Sequence, residues 1–68
     1  MLRFRYFVDR KTAGDRLWVN LNAYEHFDEA VDKALAVSRS VETAVKVRVW
    51  DFESDKVVMM IDKTEDRG

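Results

Sequence analysis

At 68 residues the chain reads as one domain, near the lower size at which a single core holds a fold unaided, and 0 Cys excludes a disulfide framework and thiolate chemistry. Twelve Lys and Arg against 13 Asp and Glu leave a net charge of −1, which weighs against the whole-protein positive field usual in nucleic-acid binders. A hydrophobic fraction of 47% argues against disorder, and no run is long enough to span a bilayer, so the expectation is a protein of the reducing cytoplasm without a membrane partner.

The first stretch, residues 2–9, alternates Leu2, Phe4, Tyr6 and Val8 against Arg3, Arg5, Phe7 and Asp9. That is strand spacing with one apolar intruder, Phe7. Residues 10–15 carry turn chemistry around Gly14, and residues 16–21 alternate again, Leu17, Val19 and Leu21 against Trp18 and Asn20. A hairpin follows from that pairing.

From residue 22 to 41 the spacing becomes helical. One stripe holds Ala23, Tyr24, Phe27, Ala30, Val31, Ala34, Leu35, Ser38 and Val41; Glu25, Asp28, Glu29, Asp32, Lys33, Ala36, Arg39 and Ser40 lie opposite. Asn22 with Glu25 has capping-box spacing, and the acids early and Arg39 late suit the macrodipole. After a short connection at 42–44, residues 45–52 and 56–62 form a second hairpin turned by residues 53–55. Residues 1–62 therefore make one α+β domain of order ββαββ, an antiparallel-rich sheet of four strands with one helix on one face, and 63–68 form a charged tail expected to fray.

A lone helix covers one side of such a sheet. The expected covered side holds Leu2, Phe4, Tyr6, Val8, Leu17, Val19, Leu21, Val45, Val47 and Val49, while residues 57–61 are apolar on both sides and leave their orientation open. The uncovered side inherits Arg3, Arg5, Phe7, Trp18, Lys46, Arg48, Trp50 and Phe52. Rings of this size each bury ~150–250 Å² when covered, so together they exceed what a monomer ordinarily leaves wet.

Two functional expectations follow. The first is a non-catalytic protein-interaction module, a homodimer or a small adaptor or inhibitor of a larger cytosolic protein, anchored by Phe7, Trp18, Trp50 and Phe52 and oriented by Arg5 and Arg48. The alternative is a single-stranded nucleic-acid module, bases stacking on Trp18, Trp50 or Phe7 and phosphates meeting Arg3, Arg5, Lys46 and Arg48. That arrangement is similar in kind to RNA-recognition-motif sheets, although the ββαββ order differs.

Catalytic chemistry has little to stand on. His26 is the lone histidine, the serines at 38, 40 and 54 have no base near them in sequence, and no Gly-rich phosphate loop exists. Glu25, Asp28, Glu29 and Asp32 sit at helical spacing, not the alternate-position spacing of a calcium loop. Neither an enzyme, a metal site nor a cofactor is expected.

Two local resemblances remain. The stretch VKVRVWDFESDKVV, residues 45–58, resembles one hairpin of a WD40 repeat, but a propeller needs several units of ~40 residues and this chain has room for fewer than two. Phe27, Asp28, Glu29, Ala30, Val31, Ala34 and Leu35, on a helix after a hairpin, are similar to small antitoxins of the HicB type and to several small phage-encoded regulators. Those residues are also what any amphipathic helix on a sheet uses, and no family is assigned on them.

Overall fold

The computed structural model describes residues 3–12, 14, 16–40 and 45–63. The element order is β1 (Tyr6–Thr12), β2 (Val19–Tyr24), α1 (Phe27–Ser40), β3 (Val45–Asp51) and β4 (Lys56–Asp62). The strands form one sheet in the order β2-β1-β3-β4, every neighbouring pair antiparallel, with α1 packed on one side. The expected ββαββ architecture is the one observed, and its strand order puts β1 and β3 at the centre. Among the described residues no helix is long and apolar enough to cross a membrane.

The central strands are where the alternation is cleanest. Val8, Val45, Val47 and Val49 are fully buried beneath Ala30, Ala34 and Val37 of the helix. Alanine on the helix lets it approach closely, and β-branched valine suits the pleated surface opposite. The resulting core is shallow, with valines its largest fully buried side chains. Tyr6, Leu21, Tyr24, Met59 and Ile61 close its margins.

Element boundaries differ from the sequence expectation at the first hairpin. β1 runs to Thr12, and β2 continues through Asn22, Ala23 and Tyr24, which pair with Val8, Phe7 and Tyr6. Tyr24 fits both the helical and the strand template, and the ladder decides between them. The helix consequently starts at Phe27, and the Asn22–Glu25 capping box does not form. The first-turn bond runs instead from Ala30 N–H to the carbonyl of His26, 3.3 Å, with Asp28 and Glu29 in the first turn. At the other end the Ser38 and Ser40 hydroxyls donate back to the carbonyls of Leu35 and Val37, 2.9 and 3.1 Å. The buried stripe is Ala30, Ala34, Val37 and Ser38, so Val37 joins the core in addition to the expected residues.

From the expected helix stripe, Phe27 is exposed and Ala23 sits in β2 opposite Phe7 on the uncovered side, and three residues of the expected covered side of the sheet are not in the core either. Phe4 precedes β1, Leu17 precedes β2, and Val19 lies at the far corner of an edge strand; all three are exposed, Leu17 by 78%. A helix of 14 residues, ~21 Å long, lies over the central strands and does not reach those corners. Leu2, Val41 and residues 42–44 lie outside the described residues.

Each edge strand carries an irregularity. Val8 and Asp9 pair with Asn22 and Asn20, which makes Leu21 an extra residue in β2. Val49 and Trp50 pair with Met59 and Val57, which makes Val58 the extra residue in β4. This settles the open orientation of the last strand: Met59 and Ile61 join the core, while Met60 lies opposite Arg48 and Val57 opposite Trp50. Lys63 is not frayed, since its N–H donates to the Val45 carbonyl at 2.8 Å and its ammonium donates to the Ser38 carbonyl. The rest of the tail, 64–68, lies outside the described residues.

Candidate functional site: the uncovered face of the sheet

Residues opposite one another in a ladder share a face, so the pairing lays the uncovered side out in rows across the strands. The first row is Ala23, Phe7, Trp50 and Val57; the second is Asn20, Asp9, Arg48 and Met60; the third is Lys11, Lys46 and Asp62. The face therefore grades from aromatic at one end to charged at the other.

At the aromatic end Phe7, Trp50 and Phe52 form a closed triangle with ring centroids 5.8 to 6.0 Å apart. The planes are inclined to one another by 51° to 81°, the edge-and-tilt geometry that aromatic quadrupoles prefer. Phe7 and Trp50 are half-buried by this mutual packing, whereas Phe52 is 63% exposed. Beside it, Phe4 is 54% exposed and lines a depression with Arg3, Arg5, Phe52 and Glu53.

In the middle of the face Asp9 accepts from Arg48 Nε at 2.9 Å and from the Asn20 amide at 3.0 Å. Its carboxylate is nearly buried, which the two donors make tolerable. The Arg48 guanidinium also lies 4.3 Å from the Trp18 ring centre, and the Lys11 ammonium lies 5.8 Å from it. Trp18 is thus half-buried under cations from β3 and β1. Phe7, Asp9, Trp18, Asn20, Arg48 and Trp50 together line a shallow depression of about 400 Å³.

Five of the six expected interface residues meet on this face: Phe7, Trp50 and Phe52 in the triangle, Trp18 and Arg48 in the stacked pair. Arg5 lines the depression beside Phe52, but its head group is engaged at the sheet end. Its guanidinium lies over the Tyr6 ring, 5.0 Å from its centre, and forks onto Asp51 at the sheet end. Tyr6 packs at the core margin, and Asp51 continues the covered row of Val45, Val47 and Val49. The Arg5 hydrogen bond, with help from the Ser54 hydroxyl and the Glu53 N–H, holds the Asp51 carboxyl well below the usual carboxylate range. The same bond raises Arg5 above its ordinary value.

By sequence Asp51 reads as a turn or edge residue of the last hairpin and Asp9 has no assigned role, whereas the structure buries both on central strands. One sign was available: Asp51 extends the period-two row 45, 47, 49, and a carboxylate on a covered row needs a cation. Its partner, 46 residues away, leaves no such sign. Among the described residues no three His, Asp or Glu side chains gather as a metal site. His26 is exposed, and its Nε2 lies 3.8 Å from Glu25.

Comparison with protein-family models, with curated proteins and with solved structures returns no match, so the functional reading rests on this face alone.

Proposed function

We propose that this chain is a non-catalytic protein-interaction module of the cytosol that docks through the uncovered sheet face, serving as a small adaptor or inhibitor. One observation carries the reading: none of the eight aromatic side chains is buried, while the core is filled by valine and alanine. A chain this short ordinarily turns its largest apolar side chains inward, because they remove the most surface from water. Here three of them are gathered into a triangle on the side the helix does not cover, with Met60 and Val57 exposed alongside.

Two features favour a different protein over a second copy or a nucleic acid. A two-fold contact with its axis along the strands would set the Lys11–Lys46 end against its own image, and one with its axis across them would set that end against the aromatic triangle. The nucleic-acid reading needs open ring faces and free guanidinium groups. The triangle is inclined ring against ring, Trp18 lies under Arg48, and Arg5 and Arg48 are each engaged by a carboxylate.

A photo-crosslinking residue at position 52, compared with one at position 32 on the solvated helix face, tests the proposal in the cells that make the protein. Adducts of defined mass at 52 and not at 32, lost on Trp50→Ala, are expected. Equal labelling at both positions, or none at 52, overturns it; an adduct of twice the chain mass replaces the foreign partner with a copy of the chain.

A further inference from the structure

The charges on this face carry the reading a step further, to the chemistry of the partner, and the step rests on the protein-docking proposal above. Each carboxylate at the aromatic and middle rows is already engaged: Asp9 by Arg48 and Asn20, Glu53 by Arg5 at 3.5 Å. Lys11, which lies over the Trp18 ring, and Lys46 have no such ion pair. They stand directly opposite each other in the β1–β3 ladder, on the same face, and among the described residues neither ammonium has a carboxylate within 4 Å. Like charges in facing positions destabilise a sheet. At the opposite end Arg3 is exposed and likewise makes no ion pair among the described residues. On its other side Lys46 faces Asp62 of β4, so one carboxylate already shares this row with the two lysines.

The face thus has an aromatic platform with the Lys11–Lys46 pair at one end, faced on the far side by Asp62, and Arg3 at the other, while Asp9 is withdrawn into its pair with Arg48. We infer that its partner is an acidic, aromatic- or aliphatic-bearing protein segment: an apolar side chain seats on Phe52 and Trp50, and a carboxylate some two rows away lies between Lys11 and Lys46. Two rows along a strand are four residues, ~13 Å, so an extended segment places its anchor and its acid about four residues apart. The partner's carboxylate adds to Asp62 in offsetting the Lys11–Lys46 repulsion, on the Lys11 side that Asp62 does not face.

A library of random twelve-residue peptides displayed on phage, selected against the folded chain, reads this out. Enriched sequences are expected to carry Asp or Glu about four residues from a Trp, Phe or Leu. As synthetic peptides they bind about tenfold or more weakly to Lys46→Glu and unchanged to the helix control Lys33→Glu. Circular dichroism of each variant establishes that it is folded; should Lys46→Glu unfold, Lys46→Gln carries the same test with a smaller loss expected. Enrichment of neutral or basic peptides whose binding is lost in Phe52→Ala overturns the acidic partner and leaves the docking face standing. Enrichment no better than with an unrelated protein, or binding indifferent to Phe52→Ala, overturns both. Tighter binding of a twelve-nucleotide oligothymidine than of any peptide, lost in Lys46→Glu, assigns the lysines to phosphate instead.

Discussion

Arg5 and Asp51 meet through two parallel hydrogen bonds of 2.9 Å, Nε to Oδ1 and Nη2 to Oδ2, across 46 residues of sequence. Asp51 is 4% exposed and its carboxylate also accepts the Glu53 N–H and the Ser54 hydroxyl, so one side chain ties the chain preceding β1 to the β3–β4 turn. Backbone bonds run the same way, from Arg5 N–H to the Tyr24 carbonyl and from Phe52 N–H to the Arg5 carbonyl. The forked geometry matches guanidinium to carboxylate, and lysine does not reproduce it.

This pair makes stability depend on acid. Asp51 is held below its unfolded-state value of about 3.9, so its contribution is fully present above that pH and is lost as pH falls through the lowered folded value. Urea unfolding at pH 7, 4 and 2.5 should show Asp51→Asn less stable than the wild type at pH 7, with the gap closing toward pH 2.5. A gap of constant size across that range would show that the carboxylate's charge is not what matters.

The valine core makes a contrast with the exposed leucine. Val47→Ala removes two buried carbon groups at ~0.8 kcal/mol each and leaves a cavity, for a loss of about 2–3 kcal/mol. Leu17→Ala, at a side chain 78% exposed, should change stability by less than about 0.5 kcal/mol. Chemical denaturation of both variants decides; equal losses would place Leu17 in the core after all.

Arg48 has two duties, pairing with Asp9 and covering Trp18. Arg48→Gln leaves the Asp9 carboxylate nearly buried with only the Asn20 amide, a loss of about 1–3 kcal/mol, and shifts Trp18 emission to longer wavelength. Arg48→Lys should recover little, because an ammonium lacks the planar fork. Full recovery by lysine would reduce the interaction to simple charge.

Backbone conformation supplies a fourth test. Gly14 has φ +92° with nothing within 4 Å of an added Cβ, so Gly14→Ala costs about 1 kcal/mol through backbone strain and not through a clash. Asp55 has φ 58° without being glycine, and Asp55→Gly should be neutral or slightly stabilising. Thermal unfolding of the two variants should therefore move in different directions; a destabilising Asp55→Gly would mean that its side chain matters more than its backbone.

The sequence by itself determined the element order, the helix of residues 27–40 within its predicted span, and the opposite faces of β3. Those are short-range properties. Period two in VKVRVWD and period 3.6 in the helix follow from where Cβ atoms point, and they need no knowledge of what packs against them. Even the aromatic face followed from counting, since one helix cannot cover both sides of four strands. What only the tertiary structure decided were matters of pairing. The ladder to β1 drew Asn22, Ala23 and Tyr24 into β2 and moved the helix start to Phe27. Bulges at Leu21 and Val58 reassigned faces that strict alternation could not. Arg5 left the predicted face because a carboxylate 46 residues away offers a two-bonded partner there, and a long side chain follows its partner more than its strand. Local periodicity sets which residues can share a face; contacts between distant segments set which of them meet.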